Sequence, residues 1–246
     1  MKPWFVLMMV VAGLLLSGNK TRAQARHQVT INEAWKFHKG EINQASSPHF
    51  DDSEWKITNL PHTWNTSDHM DEKSGYYRGA GWYRKWLRWD SIYQNRKIFL
   101  YFEGSNQVTQ VYVNGKAVDN PHVGGYTSFA RDITPYLENN QDNLLAVRVD
   151  NSHNPNIIPL DADFTFYGGI YRDVYLIASR PVHFDMMNMG SKGVFISTPQ
   201  VDSNRARIKI RGTLLNEQDQ PASITIQFPP TSASGGHRDY RRRVDQ

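Results

Sequence analysis

Two acids, three aromatic rings and two glycines occupy the first nine residues, DADFTFYGG, of the stretch DADFTFYGGIYRDVYL, which runs from Asp161 to Leu176. Carboxylates accept hydrogen bonds from polar ligands, and aromatic rings offer flat apolar faces. A turn would need only the glycines, and a core would need only the rings. The combination therefore favours a rim where backbone, acid and ring face a ligand, just ahead of a strand.

Metal chemistry finds little support in the sequence. The chain has no cysteine, which excludes disulfides and thiolate ligands. His62, in the stretch PHTWN, has no second histidine at ligand spacing, so a zinc site is not predicted. Asp161 and Asp163 share the D-x-D spacing that can ligate a hard cation, but turn capping is the favoured interpretation of Asp161.

The first 25 residues have the features of a secretory signal peptide that is cleaved after Ala25. Lys2 supplies a positive start, and the apolar run Trp4–Leu16 is too short to span a bilayer. The triplet Ala23-Gln24-Ala25 fits the small-x-small cleavage rule. An uncleaved anchor is the alternative. The prediction is an exported protein, periplasmic or extracellular, with no membrane contact after cleavage.

The net charge of the predicted mature body is small. The formal charge of +4 includes three cations of the leader, and the last ten residues carry four arginines and two aspartates. The body between these segments is left at about −1. Without a basic patch interleaved with aromatics, nucleic-acid binding has no electrostatic support. The sequence leaves the oligomeric state open.

Apolar residues alternate with a period of two almost throughout, which predicts strands. KIFLYFEG, NLLAVRVDN and IYRDVYLI show this pattern, and the last carries Arg172 and Asp173 inside the predicted strand. QVTQVYVNGKAV is typical of a hairpin, because Asn114-Gly115 supplies the positive φ values of a tight turn. ITPYLENN is the one helix candidate, and it is short. The pattern predicts an all-β sandwich.

A domain boundary is predicted at Arg180-Pro181, because proline does not sit inside a central strand. The first sandwich then covers residues 26–180. Beyond it, VFISTP, RARIKIRGTLLN and ASITIQF predict a partial immunoglobulin-like β-sandwich over residues 181–228, since a complete one needs about seven strands. Residues 229–246 have no periodicity and are predicted to be a disordered tail.

Six motifs that follow one another in order carry a resemblance to a known family. They are LPHTWN (60–65), GWYRK (81–85), FEGSNQVTQVYVNGKAV (102–118), GGYTSFARDIT (124–134), NLLAVRVDN (143–151) and YGGIYRDVYL (167–176). Together they resemble the N-terminal sugar-binding domain of family 2 glycoside hydrolases, which include β-galactosidases, β-glucuronidases and β-mannosidases.

The resemblance implies a modular enzyme. Such proteins begin with a jelly-roll, galactose-binding-like sandwich, continue with an immunoglobulin-like sandwich, and then carry a (β/α)8 barrel with two catalytic glutamates. Because the strand pattern stops inside the second sandwich, the expectation is the accessory sugar-binding portion of an exported β-galactosidase-like hydrolase, truncated before the barrel and inactive alone. A free-standing carbohydrate-binding module is the alternative, and an interaction domain without sugar affinity is a third hypothesis.

The resemblance also assigns roles to two residues. The acid that matches Asp163 reaches the barrel's active site in β-galactosidase-like members, where it helps to hold sugar hydroxyls, sometimes through a sodium ion. A loop aspartate that caps a turn is the alternative. Arg78 lies on a loop that approaches the barrel mouth in the resemblance and could contact the sugar; a solvated surface arginine is the alternative. No other cofactor is predicted, and the sugar itself is not specified.

Catalytic residues are not predicted in this chain. Retaining hydrolysis needs two carboxyls about 5–5.5 Å apart across the glycosidic bond. Glu54 and Glu72 lie in polar, loop-like sequence, and Glu103 closes a strand before Gly104. Of the six tryptophans beyond the leader, most are expected in the core, although they could also stack on sugars.

Overall fold

The fold was obtained from a computed structural model, which describes residues 26–66, 68, 75–228 and 238–244. The predicted signal peptide, residues 1–25, lies outside these ranges. Within them, no helix combines the length and apolar character needed to cross a membrane.

Strands account for nearly all regular structure in the described ranges. They are β1 Arg26–Thr30, β2 Trp35–Lys39, β3 Lys56–Thr58, β4 Ala80–Leu87, β5 Lys97–Phe102, β6 Val108–Val113, β7 Lys116–Val123, β8 Phe129–Asp132, β9 Asn143–Asp150, β10 Val174–Ser179, β11 Val182–Phe184, β12 Val194–Val201, β13 Ala206–Gly212, β14 Leu214–Asn216, β15 Ala222–Phe228 and β16 Arg238–Val244. Single-turn 3-10 helices cover Ser91–Tyr93, Thr134–Tyr136 and Asn188–Gly190.

The first ten strands form two antiparallel sheets. One has the order β1-β10-β5-β8, and the other has the order β3-β2-β4-β9-β6-β7. A single apolar cluster lies between them and includes Trp35, Tyr83, Leu100, Phe102 and Val147, each fully buried. The all-β, jelly-roll sandwich predicted from the sequence is confirmed.

The local signals of this sandwich are as the sequence predicts. Asn114 and Gly115 have φ values of 50° and 83° and connect β6 to β7 in a tight hairpin. The prediction for IYRDVYLI needs one correction, because β10 begins only at Val174. Asp173 precedes the strand since its carboxylate accepts hydrogen bonds from the Asn32 amide at 2.9 Å and the Tyr175 hydroxyl at 3.2 Å.

Strand β4 buries side chains on both of its faces. Tyr83 points into the main core, whereas Trp82 packs with Trp55 in a smaller cluster on the other side of the sheet. Arg84 lies there too and is 1% exposed. Its Nε donates to Asp52 at 2.7 Å, and its Nη1 donates to carbonyls of the covering loop. A buried charge needs such partners, and the loop over residues 40–55 supplies them.

Most tryptophans belong to the core, as predicted. Trp35, Trp55, Trp64 and Trp82 are buried, whereas Trp86 is 48% exposed. The four buried rings therefore stabilise the sandwich and are not available as sugar platforms.

Beyond residue 180 the strands pair in twos: β11 with β14, β12 with β13, and β15 with β16. The strands predicted from VFISTP, RARIKIRGTLLN and ASITIQF are all present. The disorder predicted for residues 229–246 does not hold for β16, which pairs with β15 along its whole length. Main-chain pairing with an open strand edge does not need an alternating apolar pattern, so periodicity gave no signal. The rest of that segment lies outside the described residues.

Candidate functional site

An open depression of about 700 Å³ brings the two predicted site residues together. Its lining includes Tyr76, Arg78, His153, Asp161, Asp163 and Phe166. The topology explains this meeting, because β4 and β9 are antiparallel neighbours with Ala80 opposite Asp150. The loop before β4 and the long loop after β9 therefore emerge at the same end of the sheet.

Two contacts hold the guanidinium group of Arg78, one at its edge and one on its flat face. Its Nε donates to the Asn151 carbonyl at 2.8 Å, and its guanidinium carbon lies 4.9 Å from the centre of the Phe166 ring. Cation–π contact and the hydrogen bond together fix the plane of the guanidinium. In residues 26–66, 68 and 75–228, Arg78 makes no other side-chain hydrogen bond. Its terminal nitrogens therefore lie in the lining of the depression without a hydrogen-bond partner among those residues.

Asp163 is exposed in the lining of the depression. Its carboxylate has no hydrogen bond or ion pair within the part of the chain that the structure describes, so turn capping has no contact to support it. The neighbouring Asp161 differs, because its Oδ1 accepts the Ala162 backbone N–H at 2.9 Å. That bond agrees with the local role favoured for Asp161.

Asn151 holds the two loops that line the depression. The sequence pattern alone did not indicate this role. It is fully buried. Its Oδ1 accepts from Gly79 N at 2.8 Å, its Nδ2 donates to Phe166 O at 2.8 Å, and its carbonyl holds Arg78. One side chain therefore ties both loops together. The available signal was its place as the last residue of NLLAVRVDN, directly after a strand.

The two glycines of YGGIYRD are required by close packing. A Cβ on Gly168 would lie 2.1 Å from the Trp64 ring, and one on Gly169 would lie 2.6 Å from the His62 carbonyl. Gly169 also has a φ of 120°, which disfavours other residues. The glycines thus let the end of the 161–168 loop press against the PHTWN loop.

Asn65 completes this contact from the PHTWN side. Its Oδ1 accepts from Gly168 N at 2.7 Å, and its Nδ2 donates to Tyr77 O at 2.9 Å and to the Asp68 carboxylate. It is 5% exposed. Side-chain amides therefore hold the loops before β4 and before β10 together, in addition to backbone bonds such as that from His62 N to Ile170 O at 2.8 Å.

His62 is a neutral support of the same loop. Burial, with a smaller effect of Lys56, lowers its pKa to about 4. Its Nδ1 lies 2.8 Å from the Tyr83 hydroxyl, which also accepts from Ile170 N at 3.4 Å. Because that hydroxyl has only one proton, donation to Nδ1 satisfies all three groups and keeps the imidazole uncharged.

The described residues do not assemble a cation site around Asp163. Within them, no group of three or more His, Cys, Asp or Glu side chains could hold a metal ion. One exposed carboxylate is too few ligands for a sodium ion, so the sodium implied by the resemblance is not supported by these residues alone.

Two of the glutamates considered from the sequence, Glu54 and Glu103, lie outside the lining of the depression. Glu54 is exposed in the loop before β3, and Glu103 follows β5, where its N–H donates to the Asp173 carbonyl at 3.0 Å. Glu72 lies outside the described residues. The depression can hold and orient a polyhydroxylated ligand, but its described residues offer no acid–nucleophile pair.

Comparison with known proteins gives a family. The family described as "Glycosyl hydrolases family 2, sugar binding domain" matches residues 16–180. The match includes every residue of the depression and both loops that form it.

Individual relatives are enzymes of two kinds. The chain is 37% identical to a putative β-glucuronidase of Formosa agariphila over 185 residues, 75% of this chain. It is 34% identical to a β-galactosidase of Bacteroides ovatus over 220 residues, 85% of this chain. The crystal structure of a β-glucuronidase of Bacteroides uniformis superposes with a TM-score of 0.82 at 40% identity, over 89% of this chain.

The chain spans only part of these proteins. It covers 21% of the Formosa relative, 24% of the Bacteroides ovatus relative and 26% of the Bacteroides uniformis chain.

Proposed function

The chain belongs to family 2 of the glycoside hydrolases as its sugar-binding domain, and on that premise we propose that the depression of Arg78 and Asp163 holds the sugar of a β-glycoside. The observation that carries this proposal is the pairing of an anchored guanidinium with an unpartnered carboxylate in one depression. Asp163 accepts hydrogen bonds from sugar hydroxyls, and Arg78 donates to sugar oxygens.

The role is substrate binding in O-glycosyl bond hydrolysis by a β-galactosidase- or β-glucuronidase-like enzyme. Both activities are named among the relatives, and the proposal covers both. The chain orients the sugar, whereas the acid and the nucleophile come from elsewhere in such an enzyme. One carboxylate and one guanidinium in an open depression should bind a free sugar only at about millimolar affinity.

Binding of methyl β-D-galactoside and methyl β-D-glucuronide to the 246-residue chain tests this role. We expect Asp163→Asn to weaken binding of the preferred glycoside at least about tenfold, because hydrogen bonds to a charged acceptor are lost. Asp161→Asn is the matched control and should leave binding nearly unchanged. If neither glycoside binds, or if Asp161→Asn weakens binding more than Asp163→Asn does, the proposal is refuted.

We also propose that the protein is exported, to the periplasm or the cell exterior. The support is the sequence of residues 1–25, with its positive start, its short apolar run and its small-x-small triplet. The exported protein should begin at Arg26, and an intact mass that retains residues 1–25 would contradict this.

A further inference from the structure

We propose that Tyr126 and Phe164 form an aromatic platform that binds the leaving-group side of a β-glycoside, and that selects a leaving group with a flat apolar ring face. An aryl ring and the apolar face of a second pyranose share this chemistry. The inference rests on the proposed function, because the platform adjoins Asp163.

About half of each ring's surface is exposed to solvent, including the wholly apolar ring of Phe164. Tyr126 is 55% exposed and Phe164 is 50% exposed. They come from loops about forty residues apart and meet edge to face, with ring centres 6.4 Å apart and an interplanar angle of 90°. Large aromatic rings gathered at the surface are typical of ligand contacts.

Contacts within the protein hold both rings in position, and those of Tyr126 act through the preceding residue, Gly125. The Tyr171 hydroxyl donates to the Gly125 carbonyl, directly before Tyr126. Gly125 itself packs so closely on Asn106 that a Cβ would lie 2.1 Å from its Oδ1. The loop that carries Tyr126 is therefore held in place before a ligand arrives, which lowers the entropic cost of stacking.

Phe164 is supported through Phe166. The two rings lie 5.3 Å apart, and Phe166 is buried. The backbone of Phe166 is fixed by the Tyr76 hydroxyl at 3.2 Å and by the Asn151 amide at 2.8 Å. A continuous aromatic row thus runs from the interior to the exposed pair.

The platform belongs to the same site as the charged pair. Phe164 directly follows Asp163, and the Phe166 ring makes a cation–π contact with the guanidinium of Arg78. Partial burial, with a smaller effect of Tyr76, raises the pKa of Tyr126 despite the opposite effect of Arg78. In this proposal a sugar held by Asp163 has the Phe164 ring beside it, and the next ring of the glycoside stacks there, with Tyr126 packed edge to face against Phe164.

The test compares phenyl and methyl β-D-glycosides, as galactosides and as glucuronides, on the full chain by saturation-transfer NMR and calorimetry. The disaccharide lactose distinguishes a second sugar from an aryl ring. We expect the wild-type chain to bind the phenyl glycoside about three- to tenfold tighter than the methyl glycoside. Phe164→Ala and Tyr126→Ala should each reduce this ratio towards one, while methyl glycoside binding persists.

Two further variants separate stacking from folding. Phe164→Tyr keeps a ring and should retain the preference, whereas Phe164→Leu keeps an apolar side chain without a ring and should lose most of it. Trp86→Ala removes a similarly exposed ring, 48% exposed, near the far end of β4 and should change nothing.

The outcomes distinguish the platform from the sugar site. If both glycosides bind with equal affinity, or if the phenyl preference survives in Phe164→Ala and Tyr126→Ala, the platform is refuted and the sugar site stands. If neither glycoside binds, the proposed sugar site is refuted, and the platform with it.

Discussion

At the scale of single residues, half-buried neutral histidines couple the stability of the sandwich to pH. The pKa of His62 and the pKa of His122 are each lowered to about 4, mainly by burial and in smaller part by Lys56 and Arg131. In the unfolded chain a histidine takes up a proton near pH 6.5. The unfolded state therefore binds more protons between pH 6.5 and 4, and the free energy of unfolding falls as the pH falls through that window.

This predicts that the urea midpoint decreases on going from pH 7 to pH 4.5. His122 stacks on Phe129, with ring centres 4.0 Å apart, so His122→Phe preserves a ring contact while removing the titrating group. That variant should show a shallower decrease, whereas His49→Gln, at an exposed position, should match the wild type. Equal slopes for His122→Phe and wild type would contradict the assignment.

At the scale of elements, the site depends on loops that press together at Gly168. A Cβ there would lie 2.1 Å from the Trp64 ring and 2.7 Å from the Asn151 amide nitrogen. Gly168→Ala should therefore lower the free energy of unfolding by about 1–3 kcal/mol, as overpacking does. Chemical denaturation measures this change.

A double-mutant cycle identifies the cause. Trp64→Leu is destabilising by itself, but it makes room for the new Cβ. The combination of Gly168→Ala with Trp64→Leu should then be less destabilising than the sum of the two changes. Strict additivity would show that Trp64 is not the obstacle.

Features that depend on neighbouring residues could be predicted from the sequence, whereas features that join residues far apart in the sequence could not. Alternation and the Asn114-Gly115 turn are local signals, so the strands and the hairpin were predictable. The hydrogen bond from Arg78 to Asn151 joins residues 73 positions apart, and that from Gly168 to Asn65 spans 103. Such contacts have no local signature, so the supports of the site appeared only with the fold.

Two predictions failed for different physical reasons. The pattern of IYRDVYLI predicts a strand, yet β10 begins only at Val174, because the Asp173 carboxylate accepts a hydrogen bond from the Asn32 side chain, 141 residues away. The tail reads as disordered, yet β16 pairs with β15 through the main chain. Asp163 and Arg78 were singled out because of the family resemblance and not from periodicity.

At the scale of the whole molecule, we expect the chain to bind a sugar without hydrolysing it. The acids of the depression, Asp161 and Asp163, share one exposed loop instead of facing each other across a ligand from rigid supports, as hydrolysis requires. The purified 246-residue chain should show no turnover of nitrophenyl β-galactoside, β-glucuronide or β-mannoside. Turnover that survives stringent purification and disappears with Glu54→Gln, Glu72→Gln or Glu103→Gln would contradict this.

The central claim is that sugar binds at the depression between the loop before β4 and the loop after β9. Amide NMR spectra of the 246-residue chain, recorded during titration with methyl β-D-galactoside and methyl β-D-glucuronide, test it most directly. With the preferred glycoside, we predict saturable shift changes confined to residues 76–79, 151–153 and 161–166, and we predict that Asp163→Asn removes them. Shift changes centred on the strands beyond residue 180, or no change at all up to tens of millimolar glycoside, well above the affinity expected of an open site, would contradict the account.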